Sequence, residues 1–220
     1  MTTYAEMQTR IADEFVDEAI TTAQIQNAIK SAIKHYEREP FWFNQTTGTL
    51  STVADQELYT STDLADIPNI IRIDSMMGTS GANKIRLRGV DNRSIDDVQD
   101  GTVTGEPEMY SRYADKIRLY PIPNAVYTIS ISYIYKLDVL SADTDTNAWV
   151  DECEEMIRQA SKRILAADIL HADDMAKRYA ELEQVAYQRI RTENRHRQPQ
   201  PELRANWPFN RQYFDPNRGY

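Results

Sequence analysis

The segment Tyr127-Thr-Ile-Ser-Ile-Ser-Tyr133 alternates apolar and polar side chains without interruption. Because successive side chains of a β-strand point to opposite faces, this alternation predicts a strand with one buried and one wetted face. Shorter segments with the same pattern are residues 71–73, 85–88 and 117–119. Six of the seven glycines lie between Gly48 and Gly105 and supply turns. Together these features predict an antiparallel β region in the middle of the chain.

Helical periodicity precedes this β region. Apolar residues at four-residue steps predict a first helix from Thr3 to about Phe15. Thr21 and Gln24 have the spacing of a capping box and predict the start of a second helix. Pro40 ends this second helix. The apolar stripe of this second helix consists of Ile25, Ala28, Ile29, Ala32, Ile33 and Tyr36.

Helical periodicity returns after the loop 141–147. The third predicted helix has its apolar face at Val150, Cys153, Ile157, Ala160, Ile164 and Ala167. A fourth is predicted from about Ala172 to Arg195, with its face at Met175, Tyr179, Leu182, Ala186 and Ile190. Two acidic residues, Asp173 and Asp174, suit the N-terminal dipole of this last helix.

The order of elements predicts an α+β fold, in which a four-helix bundle carries an inserted antiparallel β domain and an extended C-terminal arm. Its two N-terminal helices occupy residues 1–43 and its two C-terminal helices residues 141–195. The β-rich insert occupies residues 44–140, and the arm occupies residues 196–220.

The arm combines prolines, aromatic rings and positive charge. The whole chain has a net charge of -9; residues 195–220 contribute +3, from five Arg against Glu202 and Asp215, so residues 1–194 carry -12. Exposed rings in a basic segment favour docking on another protein over a purely solvated tail. The predicted docking residues are Trp207, Phe209, Arg211, Tyr213 and Phe214.

Several classes of function are disfavoured by composition. An acidic body repels phosphates, which argues against sequence-specific DNA binding. Cys153 is the only cysteine, so neither an intrachain disulfide nor a cysteine-rich zinc site is expected. No phosphate-binding glycine loop, nucleophile elbow or His-x-x-x-His pair occurs, and no apolar stretch could span a bilayer. We therefore predict a non-enzymatic protein that is cytoplasmic when made, without catalytic residues, metal, cofactor or membrane association.

Two alternatives remain open. The aromatic and arginine side chains of the arm could stack on single-stranded nucleic acid, which would make the protein a nucleic-acid clasp. Asp143, Asp145, Asn147 and Glu154 occupy four positions of a calcium-loop pattern, as a calcium-assisted hydrolase would require. The pattern lacks its glycine, because Ala148 occupies that position, and the acidic residues equally suit the start of a helix.

Three segments resemble the head-to-tail adaptor family of short-tailed bacteriophages. They are Gly105-Glu-Pro107-Glu-Met-Tyr110-Ser-Arg112, Ile117-Arg-Leu119-Tyr-Pro121-Ile-Pro123 continuing into 127–135, and Tyr4-Ala-Glu-Met-Gln-Thr-Arg-Ile11. The first two predict a strand, a turn, a second strand and a proline-bounded turn before a third strand. The helix-rich part after Val150 also fits the family.

This resemblance implies a structural virion protein that forms a ring, expected to be dodecameric, between the portal and the tail nozzle and fibres. The partners that it implies are the portal protein, the tail nozzle and fibre proteins, and further copies of this chain. A closed ring requires heterologous contacts between two different faces of each subunit. The arm suits such contacts, because it can reach across a neighbour toward the portal.

Overall fold

The computed structural model describes residues 1–16, 18–80, 83–98 and 103–197. Within these ranges the chain forms six α-helices, a 3-10 turn and nine strands. The helical elements are α1 (Tyr4–Ala12), the 3-10 turn (Asp13–Phe15), α2 (Thr22–Tyr36), α3 (Asn92–Asp96), α4 (Ala148–Asp151), α5 (Glu154–Asp168) and α6 (Asp173–Arg197). The strands are β1 (Gln45–Ser51), β2 (Leu58–Tyr59), β3 (Ile70–Ser80), β4 (Asn83–Gly89), β5 (Thr104–Gly105), β6 (Met109–Tyr113), β7 (Lys116–Tyr120), β8 (Ile122–Pro123) and β9 (Thr128–Tyr135).

Seven strands form one mixed sheet in the order β1-β9-β3-β4-β6-β7-β2. The pair β4–β6 is parallel and the other pairs of this sheet are antiparallel; β5 and β8 form a separate parallel pair. Leu50 of β1 and Tyr59 of β2 belong to the same buried cluster, although these strands are the two edges. The sheet therefore curls around its own core.

Strand β9 confirms the alternating pattern from which the β region was predicted. Ile129, Ile131 and Tyr133 point into the core of the sheet, whereas Thr128 is exposed. Gly48 of β1 pairs with Ile131 across the sheet, and a Cβ atom at Gly48 would lie 2.9 Å from Cγ1 of Ile67. The loop after β2 thus packs closely on β1, which needs a glycine there.

A second core joins α1, α2, α4, α5 and α6. The predicted capping box at the start of α2 is confirmed, since Thr21 Oγ1 accepts from Gln24 N and Gln24 Oε1 accepts from Thr21 N. An equivalent box formed by Thr3 and Glu6 begins α1. These local signals fix where the first two long helices start.

The prediction of a four-helix bundle with an inserted antiparallel β domain is wrong. The chain is a mixed α/β protein with a large curled seven-stranded sheet that has its own core, together with six helices in the described ranges. Helix α3 lies in the crossover between β4 and β6, which allows their parallel pairing. The third predicted helix is divided at Glu152 and Cys153 into α4 and α5.

Two predicted apolar faces are also partly wrong. On α6, Leu182 is 41% exposed, and Glu183 is buried in its place. On α5, Ile164 packs against the helical core as predicted, although it is only half-buried. Ala167 is also only half-buried, whereas Met156, Leu165 and Ala166, outside the predicted face, are fully buried. Among the described residues, no helix has both the length and the apolar character required to cross a bilayer.

Candidate assembly interface

The predicted docking residues Trp207, Phe209, Arg211, Tyr213 and Phe214 lie outside the described residues. The structure does place the point from which the arm leaves the body, because α6 continues to Arg197. Asn194 Nδ2 donates a 2.9 Å hydrogen bond to the carbonyl of Pro40. The end of α6 is thereby held beside the segment that links α2 to β1.

An aromatic contact fixes the last residue of α6. The guanidinium carbon of Arg197 lies 4.4 Å from the centre of the Trp42 ring. Arg197 also pairs with Glu193, one turn earlier, at 2.5 Å and lies 3.7 Å from Glu152. A cation over an indole face is attracted by the ring quadrupole, so these contacts orient the start of the arm.

The aromatic residues after α2 pack at the joint between the helices and the sheet. Phe41 is buried and stacks on Phe43 with ring centres 5.3 Å apart, and both rings meet Trp149 edge to face. Tyr135 of β9 donates its hydroxyl to the carbonyl of Phe43 at 3.1 Å. Trp42 is only half-buried, which leaves its ring free to contact Arg197.

The surface at the base of the arm is positively charged. Between Gln188 and Arg197, α6 has four arginines against Glu193. Arg191 and Arg195 are exposed and line a cavity of about 200 Å³ beside Pro40. Asn194 also lines this cavity, and its Oδ1 atom is buried without a hydrogen-bond partner among the described residues. Glu39 also lines the cavity, where it accepts a hydrogen bond from Tyr187, so the two arginines give the lining an excess of one positive charge.

Helix α6 is held to α2 by buried polar contacts that the sequence analysis missed. Tyr36 donates its hydroxyl to Glu183 at 2.5 Å, and Arg163 of α5 forms an ion pair with the same carboxylate. Burial, and then this hydrogen bond, raises the pKa of Tyr36; the hydrogen bond to Glu183 raises the pKa of Arg163. Near the joint, Tyr187 donates to Glu39 at 2.7 Å. The path of α6 toward the arm is therefore fixed along its length.

The calcium-pattern residues serve separate structural roles. Asp145 accepts backbone hydrogen bonds from Ser141 and Ala142, which lower the pKa of its carboxyl group. Asn147 caps α4 by accepting from Trp149 N at 3.0 Å. Glu154 is paired with Arg10 of α1 at 2.6 Å. Within the described ranges, no group of three or more His, Cys, Asp or Glu residues is arranged to hold a metal ion.

The residues that carry the family resemblance are structural. Arg112 donates to the carbonyls of Ile70 and Ile71, both at 2.8 Å, and so ties the β6–β7 hairpin to β3. Arg118 of β7 pairs with Glu57 and Asp96. These contacts hold the β6–β7 hairpin to the rest of the sheet and to α3.

Residues 2–206 match the sequence model of the family described as SU10 adaptor protein. The match includes nearly the whole described body and the first part of the arm. No curated protein matches the chain significantly.

Proposed function

The chain belongs to the SU10 adaptor protein family, and from that premise we propose that it forms a ring between the portal and the tail nozzle and fibres. Family membership suggests a structural adaptor of a phage virion, which implies a non-enzymatic role. In the proposed assembly, each copy contacts two neighbours and the portal, and the ring is dodecameric.

One observation supports the docking role of the arm most directly. The body holds the end of α6 by the Asn194–Pro40 hydrogen bond and the contact between Arg197 and Trp42. An arm that starts from a fixed point loses less entropy when it docks than one that starts from a loose end. The arm then binds the portal or a neighbouring subunit through Trp207, Phe209, Arg211, Tyr213 and Phe214.

The proposal also accounts for the charges at the base of the arm. Arg191 and Arg195 are exposed, and no ion pair joins either of them to another described residue. Charge complementarity across an interface mainly increases the association rate and the specificity. An acidic surface on the portal or on the body of a neighbouring copy would complete this contact.

A truncation separates the arm from the body. The chain ending at Arg197 keeps α6 and its contacts with Trp42 and Pro40 intact, so its helices should fold normally. We expect it to bind immobilised cognate portal rings far more weakly than the full chain. A variant with Trp207, Phe209, Tyr213 and Phe214 all changed to Ala should show the same loss. Unchanged portal affinity in both variants would refute the docking role of the arm.

The same basic surface supports a second candidate function, the single-strand nucleic-acid clasp. Arginines on α6 and aromatic rings in the arm are the two components that such binding requires. A clasp predicts that single-stranded DNA binds the full chain with a steep decrease in affinity as salt rises. The adaptor proposal predicts portal binding and no such DNA complex.

A further inference from the structure

A cavity of about 240 Å³ lies between the C-terminal half of α2 and the segment 136–140. Its apolar wall includes Ile33, Leu140 and Trp149. Tyr4 of α1 also lines it, and the Tyr4 hydroxyl is buried without a hydrogen-bond partner in the described part of the chain. An unpaired buried hydroxyl is unfavourable, so a partner that brings a hydrogen-bonding group here would be favoured.

The charged side chains that line this cavity have a small positive excess, although the body as a whole is acidic. Lys30, Lys34 and Lys136 line it against the carboxylates of Glu37 and Asp138. Lys30 and Lys34 are exposed and form no ion pair with any other residue that the structure describes, and Lys136 is 3.9 Å from Glu37. This basic groove, made of the apolar wall and the three lysines, fits an apolar side chain that is flanked by carboxylates. The basic arm is a poor occupant, because the lysines would repel its arginines.

A surface with the complementary properties lies at the other end of the same two helices. Val16 is 78% exposed, and Asp13 and Glu18 beside it in the chain are also exposed. Neither of these two carboxylates forms an ion pair within the described ranges. No Lys or Arg occurs from Ile11 to Ile29. We call Asp13, Val16 and Glu18 the acidic tip.

The acidic tip cannot fill the groove of its own subunit. Gln26 donates to Gln8 at 3.0 Å, while Tyr4 and Ile33 line one cavity, so α1 and α2 run antiparallel. The tip therefore lies at one end of this helix pair and the groove at the other. From Thr22 to Lys34, α2 advances by twelve residue steps, which span about 18 Å along the helix axis. These two surfaces can therefore meet only between different copies.

We propose that the acidic tip of one copy inserts Val16 into the basic groove of the next copy, with Glu18 and Asp13 beside Lys30 and Lys34. The occupant of the groove is thus a second copy of this chain. The contact is heterologous, and repeating it gives a ring where the rotation closes. The inference rests on the proposed ring function and identifies the contact between neighbours within it.

Disulfide trapping tests this contact directly. Val16→Cys protein is mixed with Lys34→Cys protein in the presence of cognate portal rings, oxidised, and analysed on a non-reducing gel. Cys153 is buried, and burial raises the pKa of its thiol to about 12, so it should contribute little background. A mixture of Val16→Cys with Lys177→Cys is the matched control, because Lys177 is an exposed lysine of α6 that does not line the groove.

The inference predicts several-fold more cross-linked dimer with Lys34→Cys than with Lys177→Cys. Equal yields in the two mixtures would overturn it, whether the groove is empty or holds another virion protein. Charge exchange provides an independent check. Glu18→Lys and Lys34→Glu should each reduce the copies bound per portal ring, the double variant should restore them, and Lys177→Glu should have no effect.

The proposed function has a separate readout in the same samples, which is the mass of the complex with the portal. If the protein binds the portal without the specific cross-link, the contact between acidic tip and basic groove is rejected and the adaptor function stands. If the specific cross-link forms without portal binding, the contact stands and the adaptor function is rejected.

Discussion

The hydroxyl of Tyr36 in α2 donates a 2.5 Å hydrogen bond to Glu183 in α6, and Arg163 of α5 forms an ion pair with the same carboxylate. Helix α2 and the two consecutive C-terminal helices therefore meet at one buried charge. Among the described residues, no strand side chain bonds to this cluster, so it stabilises the helical core specifically. It also holds the middle of α6, whose end positions the arm.

Replacing Glu183 should destabilise the protein strongly. Glu183→Ala leaves the Tyr36 hydroxyl and the Arg163 guanidinium without their partner, and breaking a buried pair in this way costs about 3 kcal/mol. Urea unfolding monitored by circular dichroism measures the change. Glu181→Ala, at an exposed position of the same helix, should stay within about 0.5 kcal/mol of the parent protein. Similar losses in the two variants would contradict a special role for Glu183.

Tyr36 should make stability depend on alkaline pH. Its pKa is raised in the folded protein by burial and by the bond to Glu183, whereas an unfolded tyrosine titrates near 10. Above about pH 10 the folded chain therefore binds more protons than the unfolded chain, and stability falls as pH rises. Urea midpoints between pH 8 and pH 11 should fall less steeply for Tyr36→Phe than for the parent. Tyr113→Phe, at a side chain exposed to 68%, should keep the parental slope.

Two substitutions of Lys162 separate the contribution of its charge to stability from the contribution of its packing. Its side chain is 2% exposed, its Nζ atom is 2.6 Å from Glu14, and it lies over the Tyr179 ring. Burial lowers the pKa of Lys162. Lys162→Met keeps the volume and leaves Glu14 partly solvated, so we expect a change within about 1 kcal/mol, of either sign. Lys162→Ala also loses packing and should cost about 2–3 kcal/mol. Equal losses from thermal unfolding of both variants would show that the charge dominates.

Arg112 should not be replaceable by lysine. Its two terminal nitrogens donate to the carbonyls of Ile70 and Ile71, and a lysine cannot reproduce that forked geometry. We expect Arg112→Lys to lose about 1–2 kcal/mol of unfolding free energy, because a carbonyl is left without a donor. Arg72→Lys is the control, since Arg72 is exposed and pairs only with Asp74 in the described ranges. Hydrogen exchange of β3 amides would show whether the hairpin has loosened.

The sequence predicted the elements whose causes are local. The start of α2 is predictable because the side chains of Thr21 and Gln24 form the capping box themselves. The alternation of apolar and polar residues around Ile131 likewise indicates a half-buried strand. The strand β1 was missed, because Gln45–Ser51 has few apolar residues and is held as a strand by its pairing with β9. That pairing depends on residues far away in the sequence.

The errors concern relationships between elements. Parallel pairing of β4 with β6 requires a crossover connection, which here contains α3, and no local sequence pattern predicts that crossover. Leu182 fits an apolar helical stripe, yet the neighbouring Glu183 is buried because Tyr36 and Arg163 neutralise and bind it. A buried carboxylate could be suspected from sequence only if its partners were already known.

The candidate interface was predicted in part. The family resemblance is confirmed by the match over residues 2–206, and it rests on segments whose side chains, such as Arg112, stabilise the sheet. The docking residues of the arm stay a prediction. The basic groove between α2 and residues 136–140 was not predicted, since its lysines come from separate parts of the sequence.

We have proposed that this chain is an adaptor that assembles on the portal. Native mass spectrometry of the full-length protein mixed with cognate portal rings measures it most directly, because mass gives both association and copy number. We expect a complex in which multiple copies, a dodecamer in the complete ring, are bound to one portal. A folded full-length protein that adds no mass to the portal rings would contradict it.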